Sequence, residues 1–331
     1  MGLDEFMANI VVTFSADGDL RGPILKVLDH VARVIFLSEV SPEDRSQELA
    51  SADVLISWHP ARELQPAEFG IISHAKMMQL LSAGADHLPF PQLPAALTIA
   101  GNAGAYAAPM AEHIMAMTLA VMKNILDRHN KLKNGIFDQT NANRMLKGST
   151  CAILGFGGIG KATARLLRCF DVKIYAINST GKTDESVEFI GTLMNLEYVL
   201  RHSDVVVIAL PLTNSTRGLI GSRELGWMKD SAILVNVARG DLIDEAALYE
   251  KLKADPSFTA AVDAWWNEPL RNGKFRTNYP FLELPNFLGS PHNSGLVPES
   301  LTKGAEYAAE NVKRFLNQEP IVGVVKRSDY T

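Results

Sequence analysis

Two cysteines in 331 residues exclude a disulfide framework, and a zinc site would lack the sulfur spacing it ordinarily uses. Cys151 enters an apolar run and Cys169 falls late in the segment after it, so both read as small buried hydrophobes, and no metal is expected. No apolar run approaches the ~20 residues of a membrane span. The acidic start, Met1-Gly2-Leu3-Asp4-Glu5, is not that of a signal peptide, which makes the cytoplasm the expected compartment. Positive charge is scarce too: a net charge of −5 and the lack of any basic stretch argue against nucleic acid or an anionic membrane as partner. Low-complexity tails and internal repeats are also missing.

What is present is an ordinary globular composition, 47% hydrophobic and 21% charged, in a chain whose length suits two domains. The chain is organised around Cys151-Ala152-Ile153-Leu154-Gly155-Phe156-Gly157-Gly158-Ile159-Gly160, an apolar run that breaks into G-x-G-x-x-G and resumes with helical spacing through Ala164, Leu166 and Leu167. Such a strand, turn and helix bind a pyrophosphate: Gly155 allows the turn, Gly157 lets the backbone approach the phosphate, and Gly160 lets the helix pack on the strand. Glycine-rich turns also occur in plain loops, so context decides. A second apolar run, Val172 to Ile177, completes a βαβ unit of the expected size.

The end of that second strand ordinarily carries an acid that reads the ribose 2′-hydroxyl. Here Asn178 stands there, followed by Ser179, Thr180, Gly181 and Lys182. No carboxylate repels a 2′-phosphate, and two hydroxyls and a lysine are at hand to bind it. NADP is therefore slightly favoured over NAD, the competing reading being that Asn-Ser-Thr-Gly is only a turn.

Before the glycine motif, strands are expected at Asn9–Phe14, Val34–Leu37, Asp53–Ser57 and Met77–Leu81, with a helix from about Leu20 to Val31. A further helix start is read at Ser41-Pro42-Glu43-Asp44, from a capping serine, proline and acids. This alternation predicts a first α/β domain with a parallel sheet. Its loops Leu81–His87 and Gly101–Gly104 are built of small residues that bind a carboxylate through backbone N–H groups or are simply tight turns. One long helix, about Ala108 to Leu132, should lead into the second domain. There, a helix near Asn195–Arg201 and one from about Glu245 to Leu252 alternate with strands at Asp204–Leu210, Ala232–Val237 and Phe258–Val262, and a last helix from about Glu299 to Phe315 should return the chain to the first domain.

Three titratable groups stand out because each follows an apolar segment and lies by a glycine or proline: Arg239 in Asn236-Val237-Ala238-Arg239-Gly240, Glu268 before Pro269, and His292 after Pro291. Singly, each has a bland reading as a surface arginine, a turn glutamate and a capping histidine. Their order and company make the chain resemble the D-isomer-specific 2-hydroxyacid dehydrogenases. The resemblance covers nearly the whole chain: Leu80–His87, Met110-Ala111-Glu112-His113, the glycine motif, Pro211–Ile220, Asn236–Leu248 and Pro291-His292.

The resemblance implies Arg239, Glu268 and His292 as the catalytic set. Reducing a 2-keto acid takes a hydride from nicotinamide, a proton for the new hydroxyl and a cation for the carboxylate and developing oxyanion. His292 would give the proton, Glu268 would hold its tautomer and favour its charged form, and Arg239 would grip the substrate in a planar fork. Substrate carboxylate is implied at Ala83, Gly84 and Ala85. Cofactor contacts are implied along Gly155, Phe156, Gly157, Gly158, Ile159 and Gly160, at Asn178, Ser179, Thr180 and Lys182, and at Leu210, Pro211 and Thr216. Val237, Ala238, Arg239 and His292 complete them, with Asp263 on the nicotinamide carboxamide.

The implied topology is two doubly wound parallel-sheet domains, a Rossmann-type coenzyme domain over 112–296 inserted into a flavodoxin-like substrate domain over 1–111 and 297–331. Members are usually homodimers formed through the coenzyme domain. A small 2-keto or 2-hydroxy acid, of glyoxylate or hydroxypyruvate type, is the expected substrate.

Two departures from the family pattern bear on substrate size: the basic, aromatic stretch Arg271–Phe281, which could wall the cleft or cover a dimer surface, and the bulky Trp265-Trp266. Formate dehydrogenases, which share the architecture, usually have Gln where Pro291 stands and a longer N-terminus. Long phosphoglycerate dehydrogenases carry a C-terminal regulatory domain, whereas this chain stops at Thr331. Nucleotide-sensing corepressors of the same fold typically carry long flexible tails.

Overall fold

A computed structural model describes residues 7–331, so the acidic start Met1–Glu5 lies outside the described residues. The chain divides into two compact units, one taking the chain up to Tyr106 together with Leu296–Thr331, the other Ala107–Gly295.

In the first unit the strands β1 Ala8–Val12, β2 Ala32–Phe36, β3 Val54–Ser57, β4 Met77–Leu80 and β5 Thr98–Ala100 form a five-stranded sheet in the order β2-β1-β3-β4-β5. Every pairing is parallel. This is the flavodoxin-like order, whose direction of travel reverses between β1 and β3. Helices cover both faces, so β3 and β4 are buried along their whole length instead of alternating, mostly with apolar residues. The last helix, Ser300–Leu316, belongs to this unit: its small residues Ala305, Ala308 and Ala309 share a core with Ile24 and Leu28 of the helix Gly18–Leu28.

The second unit carries β6 Thr150–Leu154, β7 Lys173–Ile177, β8 Phe189–Gly191, β9 Val205–Ile208, β10 Ile233–Asn236, β11 Thr259–Val262 and β12 Phe287–Gly289. They form a seven-stranded sheet ordered β12-β11-β10-β9-β6-β7-β8. All pairs are again parallel. From β8 inward this is the Rossmann order extended by one strand, with the reversal between β6 and β9. The glycine motif leaves the end of β6, at the crevice where such sheets take their ligands.

Three local expectations need correction. The helix expected over Ala108–Leu132 is two, Ala107–Met122 and Ile125–Lys133, because Asn124 adopts φ 50°, a left-handed conformation that asparagine tolerates. Pro42 does not open a helix. The Ser41 hydroxyl bonds the Asp44 carboxylate at 2.7 Å and accepts its N–H at 3.2 Å, closing a turn, and the helix begins at Arg45. Cys151 is buried as expected, but Cys169 is exposed, since it caps the helix Gly158–Arg168 just past Leu167, its last buried position.

Candidate active site

The glycine motif is built as its chemistry requires. Gly155 has φ +103°, and a Cβ there would lie 2.4 Å from the Ala209 carbonyl oxygen; one at Gly160 would lie 2.3 Å from the Gly155 oxygen. Gly157, by contrast, has nothing within 4 Å of where its Cβ would be. It caps the helix Gly158–Arg168, whose first N–H groups have no side-chain cap. Close packing at Gly155 and Gly160 with open space at Gly157 is the pattern that admits a pyrophosphate to a helix N-terminus, so these residues fit a dinucleotide. Phe156 contributes backbone only, its ring being buried in the core.

At the end of β7 the Asn178 amide is spent on its own loop. Its Oδ1 accepts the Thr180 and Gly181 N–H groups at 3.1 and 2.7 Å, and its Nδ2 donates to the Lys182 carbonyl at 2.8 Å. Ser179, Thr180 and Lys182 remain exposed around this turn. Lys161 on the neighbouring helix pairs with Asp184, which fastens the loop to the glycine-motif helix. After β9, Leu210 and Pro211 lead into a loop held by Thr216, a buried residue whose hydroxyl donates to the Pro211 carbonyl at 2.7 Å.

Arg239 and Glu268 follow β10 and β11, and His292 follows β12, so all three arise at strand carboxyl ends. Val237 is fully buried after β10. Asn236 shapes the arginine turn, accepting the Ala238 N–H at 3.0 Å and donating to the Arg239 carbonyl at 2.8 Å. The turn passes so near the next that a Cβ on Gly240 would lie 2.4 Å from the Trp265 carbonyl carbon.

The Glu268 carboxylate brackets His292 Nδ1, with Oε1 at 2.8 Å and Oε2 at 2.9 Å, while Oε1 also accepts the Trp265 N–H at 2.8 Å. Burial pushes the Glu268 carboxyl up. The His292 bond and charge, the Trp265 N–H and the Arg239 charge outweigh that and hold it below the usual carboxylate range. An ionised acceptor on Nδ1 fixes the imidazole tautomer and leaves Nε2 as the nitrogen for exchange with a substrate.

Asp263 has no exposed surface, and its carboxylate is engaged by Ser290, Asn293 and Ser294. Burial raises its pKa, but bonds from Ser290 and Ser294 and the nearby His113 leave it lowered overall.

The two tryptophans turn inward. Trp265 is buried and donates its indole N–H to the Ser290 carbonyl at 2.7 Å, while Trp266 donates to the Ile243 carbonyl at 2.8 Å and stacks on Phe281. The stretch after them covers this core: Phe275 meets Trp265 edge-on, Asn278 bonds the Glu245 carboxylate, and Tyr279 stacks on Tyr249.

In the first unit, Ala83 is exposed and Gly84 half-buried in the loop after β4, whereas the methyl of Ala85 is packed in the core. Sequence reasoning missed the aromatic group after the adjacent strand β3. Trp58 stacks on His59, His59 meets His87 edge-on at 4.7 Å, and His87 Nε2 lies 2.9 Å from the Trp58 carbonyl. It also missed His113, although it lies in a quoted motif, and Ser290, because no spacing in sequence signals that a helix and a strand end 177 positions apart will meet.

A dinucleotide-type glycine turn on a Rossmann-ordered sheet, with a histidine–carboxylate pair at neighbouring strand ends, defines a nicotinamide-dependent dehydrogenase class of site. Residues 115–294, more than half of the chain, match the D-isomer specific 2-hydroxyacid dehydrogenase NAD binding domain, and the chain belongs to that family. A glyoxylate reductase of Thermofilum pendens is 32% identical over 251 residues, covering 74% of this chain and 73% of that one. A D-3-phosphoglycerate dehydrogenase of Methanocaldococcus jannaschii is 28% identical over 326 residues, which are 96% of this chain but 59% of that enzyme's length. Among solved structures, a candidate formate dehydrogenase of Pyrobaculum aerophilum is 26% identical with a TM-score of 0.80, covering 97% of this chain and 99% of that one.

Proposed function

We propose that the protein is an NAD(P)-dependent oxidoreductase that reduces a small 2-keto acid of the glyoxylate or hydroxypyruvate type to the D-2-hydroxy acid, or runs the reverse reaction. The observation that carries this reading is the two-oxygen grip of Glu268 on His292 Nδ1, at 2.8 and 2.9 Å. The glyoxylate reductase relative supports the substrate class, and the family's NAD binding domain supports the cofactor class. The formate reading is weaker, since Pro291 stands before His292.

In this reading the unit Ala107–Gly295 holds the coenzyme, through the backbone at Gly155–Gly160 and the loop Asn178–Lys182, and a bound reduced nicotinamide supplies the hydride. His292 Nε2 carries the proton to the new hydroxyl. Glu268 keeps Nδ1 protonated throughout, so that proton exchange is confined to the other ring nitrogen. Arg239 offers a fixed positive fork to the carboxylate and keto oxygen, which a lysine could not reproduce. The backbone of Ala83 and Gly84 is assigned to the substrate carboxylate. Fully enclosed, Asp263 acts by holding the loop of His292. We also assign the protein to the cytoplasm as a homodimer, with NADP slightly favoured over NAD.

The test is loss of reduced-nicotinamide absorbance with a panel of 2-keto acids, run with NADPH and NADH. Activity should appear with glyoxylate or hydroxypyruvate, and His292→Ala should lower kcat by ~10²–10⁴-fold with little change in cofactor affinity. Wild-type turnover in that variant, or silence across the panel, would overturn the reading.

A further inference from the structure

The loop that carries His292 is folded around one residue. Oδ1 of Asp263 accepts the Ser290 hydroxyl at 2.6 Å and the Asn293 N–H at 3.1 Å, and Oδ2 accepts the Ser294 N–H at 3.1 Å. The Asp263 carbonyl accepts the His292 N–H at 2.9 Å. Within this frame His292 holds φ 51°, a left-handed conformation uncommon outside glycine, though histidine visits it more readily than most residues.

Besides the Trp265 indole on the Ser290 carbonyl and the Glu268 carboxylate on His292, the frame is tethered to a helix. His113, on the helix Ala107–Met122, places Nε2 3.0 Å from Ser290 Oγ. A hydroxyl has one proton, and Ser290 gives it to the carboxylate, so the bond to the imidazole runs from His113 Nε2–H to Ser290 Oγ. Met117 Sδ, 3.9 Å from the same hydroxyl, is only a weak acceptor and supplies no donor. The chain of donation therefore has a fixed direction, from His113 through Ser290 to Asp263, and His113 Nε2 lies 3.7 Å from that buried carboxylate. Nothing in the proposed chemistry uses His113.

We infer that His113 is a positioning residue for the reaction: through Ser290 and Asp263 its ring N–H holds the loop in the strained conformation that presents His292 to Glu268. This rests on the reading of His292 as the proton donor. Without the donor, the Ser290 hydroxyl loses its orientation and the loop of the positive-φ residue loses its tether to the helix Ala107–Met122. Proton transfer should suffer, while ground-state binding of either substrate, which uses other groups, should not.

The expected result for His113→Ala is a ~10–10²-fold fall in kcat with KM for keto acid and NADPH little changed. His113→Gln, which keeps an N–H at the same reach, should recover most of that loss. Ser290→Ala should mimic His113→Ala, Ser290→Thr should not, and the double alanine variant should be no worse than the poorer single one. A His113 that merely packs would lower the urea midpoint with equal effect in Ala and Gln, and would leave kcat alone. The inference is overturned if kcat of His113→Ala stays near wild type, if Gln is no better than Ala, or if the two alanine losses multiply. Should His113→Ala fail to fold, the Gln variant and the Ser290 pair decide the matter by the same criteria. A fully active His292→Ala would instead sink the underlying functional reading, whereas a dead His292→Ala beside an unaffected His113→Ala would sink this inference alone.

Discussion

At the scale of single residues, Asn178 shows how a correct identification of place can leave a role open. The sequence puts it at the end of β7, and it is there, but its amide closes the turn through Thr180, Gly181 and Lys182. What the turn exposes is Ser179, Thr180 and Lys182, donors suited to phosphate oxygens and free of any fixed negative charge. We expect NADPH to be used at least as efficiently as NADH. In Asn178→Asp the acceptor half of the turn survives and the donor to the Lys182 carbonyl is lost, while a carboxylate now faces the 2′-phosphate. The ratio of catalytic efficiencies should move toward NADH, by at most ~1–3 kcal/mol because the site is screened by water. A wild-type enzyme strongly selective for NADH would refute this account.

The same scale separates what a string of residues discloses from what it hides. Arg239, Glu268 and His292 stood out because each follows an apolar segment beside a glycine or proline, and the family resemblance supplied their expected roles; all three do lie past strand carboxyl ends, a position with chemical meaning in an open parallel sheet. The side chains that hold such groups were not. Asp263 reads as a ligand-facing acid until its burial and its three donors are seen. Trp265 reads as bulk bearing on substrate size until its indole is found bonded to the Ser290 carbonyl. Direction of a side chain is decided by packing across the sheet, which one-dimensional patterning does not encode.

At the scale of elements, long periodic segments were read to within two or three residues, and the failures are local. The strands β5, β8 and β12 have three residues each, too few for any periodicity to register. The break at Asn124 turns on a single dihedral. Glycines offer a sharper test of element-level design, because two of them stand for opposite reasons. A methyl group at Gly240 would collide with the backbone of Trp265, so Gly240→Ala should force apart the turns that carry Arg239 and Glu268, costing about 1–3 kcal/mol and much of the turnover. A methyl group at Gly157 meets nothing, and the residue's φ of −92° suits alanine. Gly157→Ala should keep wild-type stability and instead raise KM for the dinucleotide by obstructing the pyrophosphate. Denaturant unfolding and steady-state kinetics on both variants check the contrast. If Gly157→Ala is the destabilised one, the division of labour within these turns is misassigned.

At the scale of the molecule, the surface of the unit Ala107–Gly295 shows a concentration of apolar side chains that a solitary chain would have no reason to keep. Ile125, Leu126, Leu132, Ile136, Phe137 and Met145 all stand exposed within one segment, Phe137 at 74% and Met145 at 67%. The helix Ile125–Lys133 inside that segment buries none of its residues. Exposed apolar side chains gathered in one segment suit an interface, and we propose a second copy of the chain, meeting it about a twofold axis, as the occupant. A stable pairing needs roughly 800 Å² from each partner. The wild-type protein should therefore sediment as a dimer at micromolar concentration. Phe137→Asp combined with Leu126→Asp should shift it to monomer, because like charges within the apolar segment would have to be desolvated on association. Far-ultraviolet dichroism should be unchanged, since neither side chain supports the fold from within. A wild-type protein that sediments as a monomer across that range would leave the segment without the partner argued for here, and a variant that remains dimeric would place the interface elsewhere on the unit.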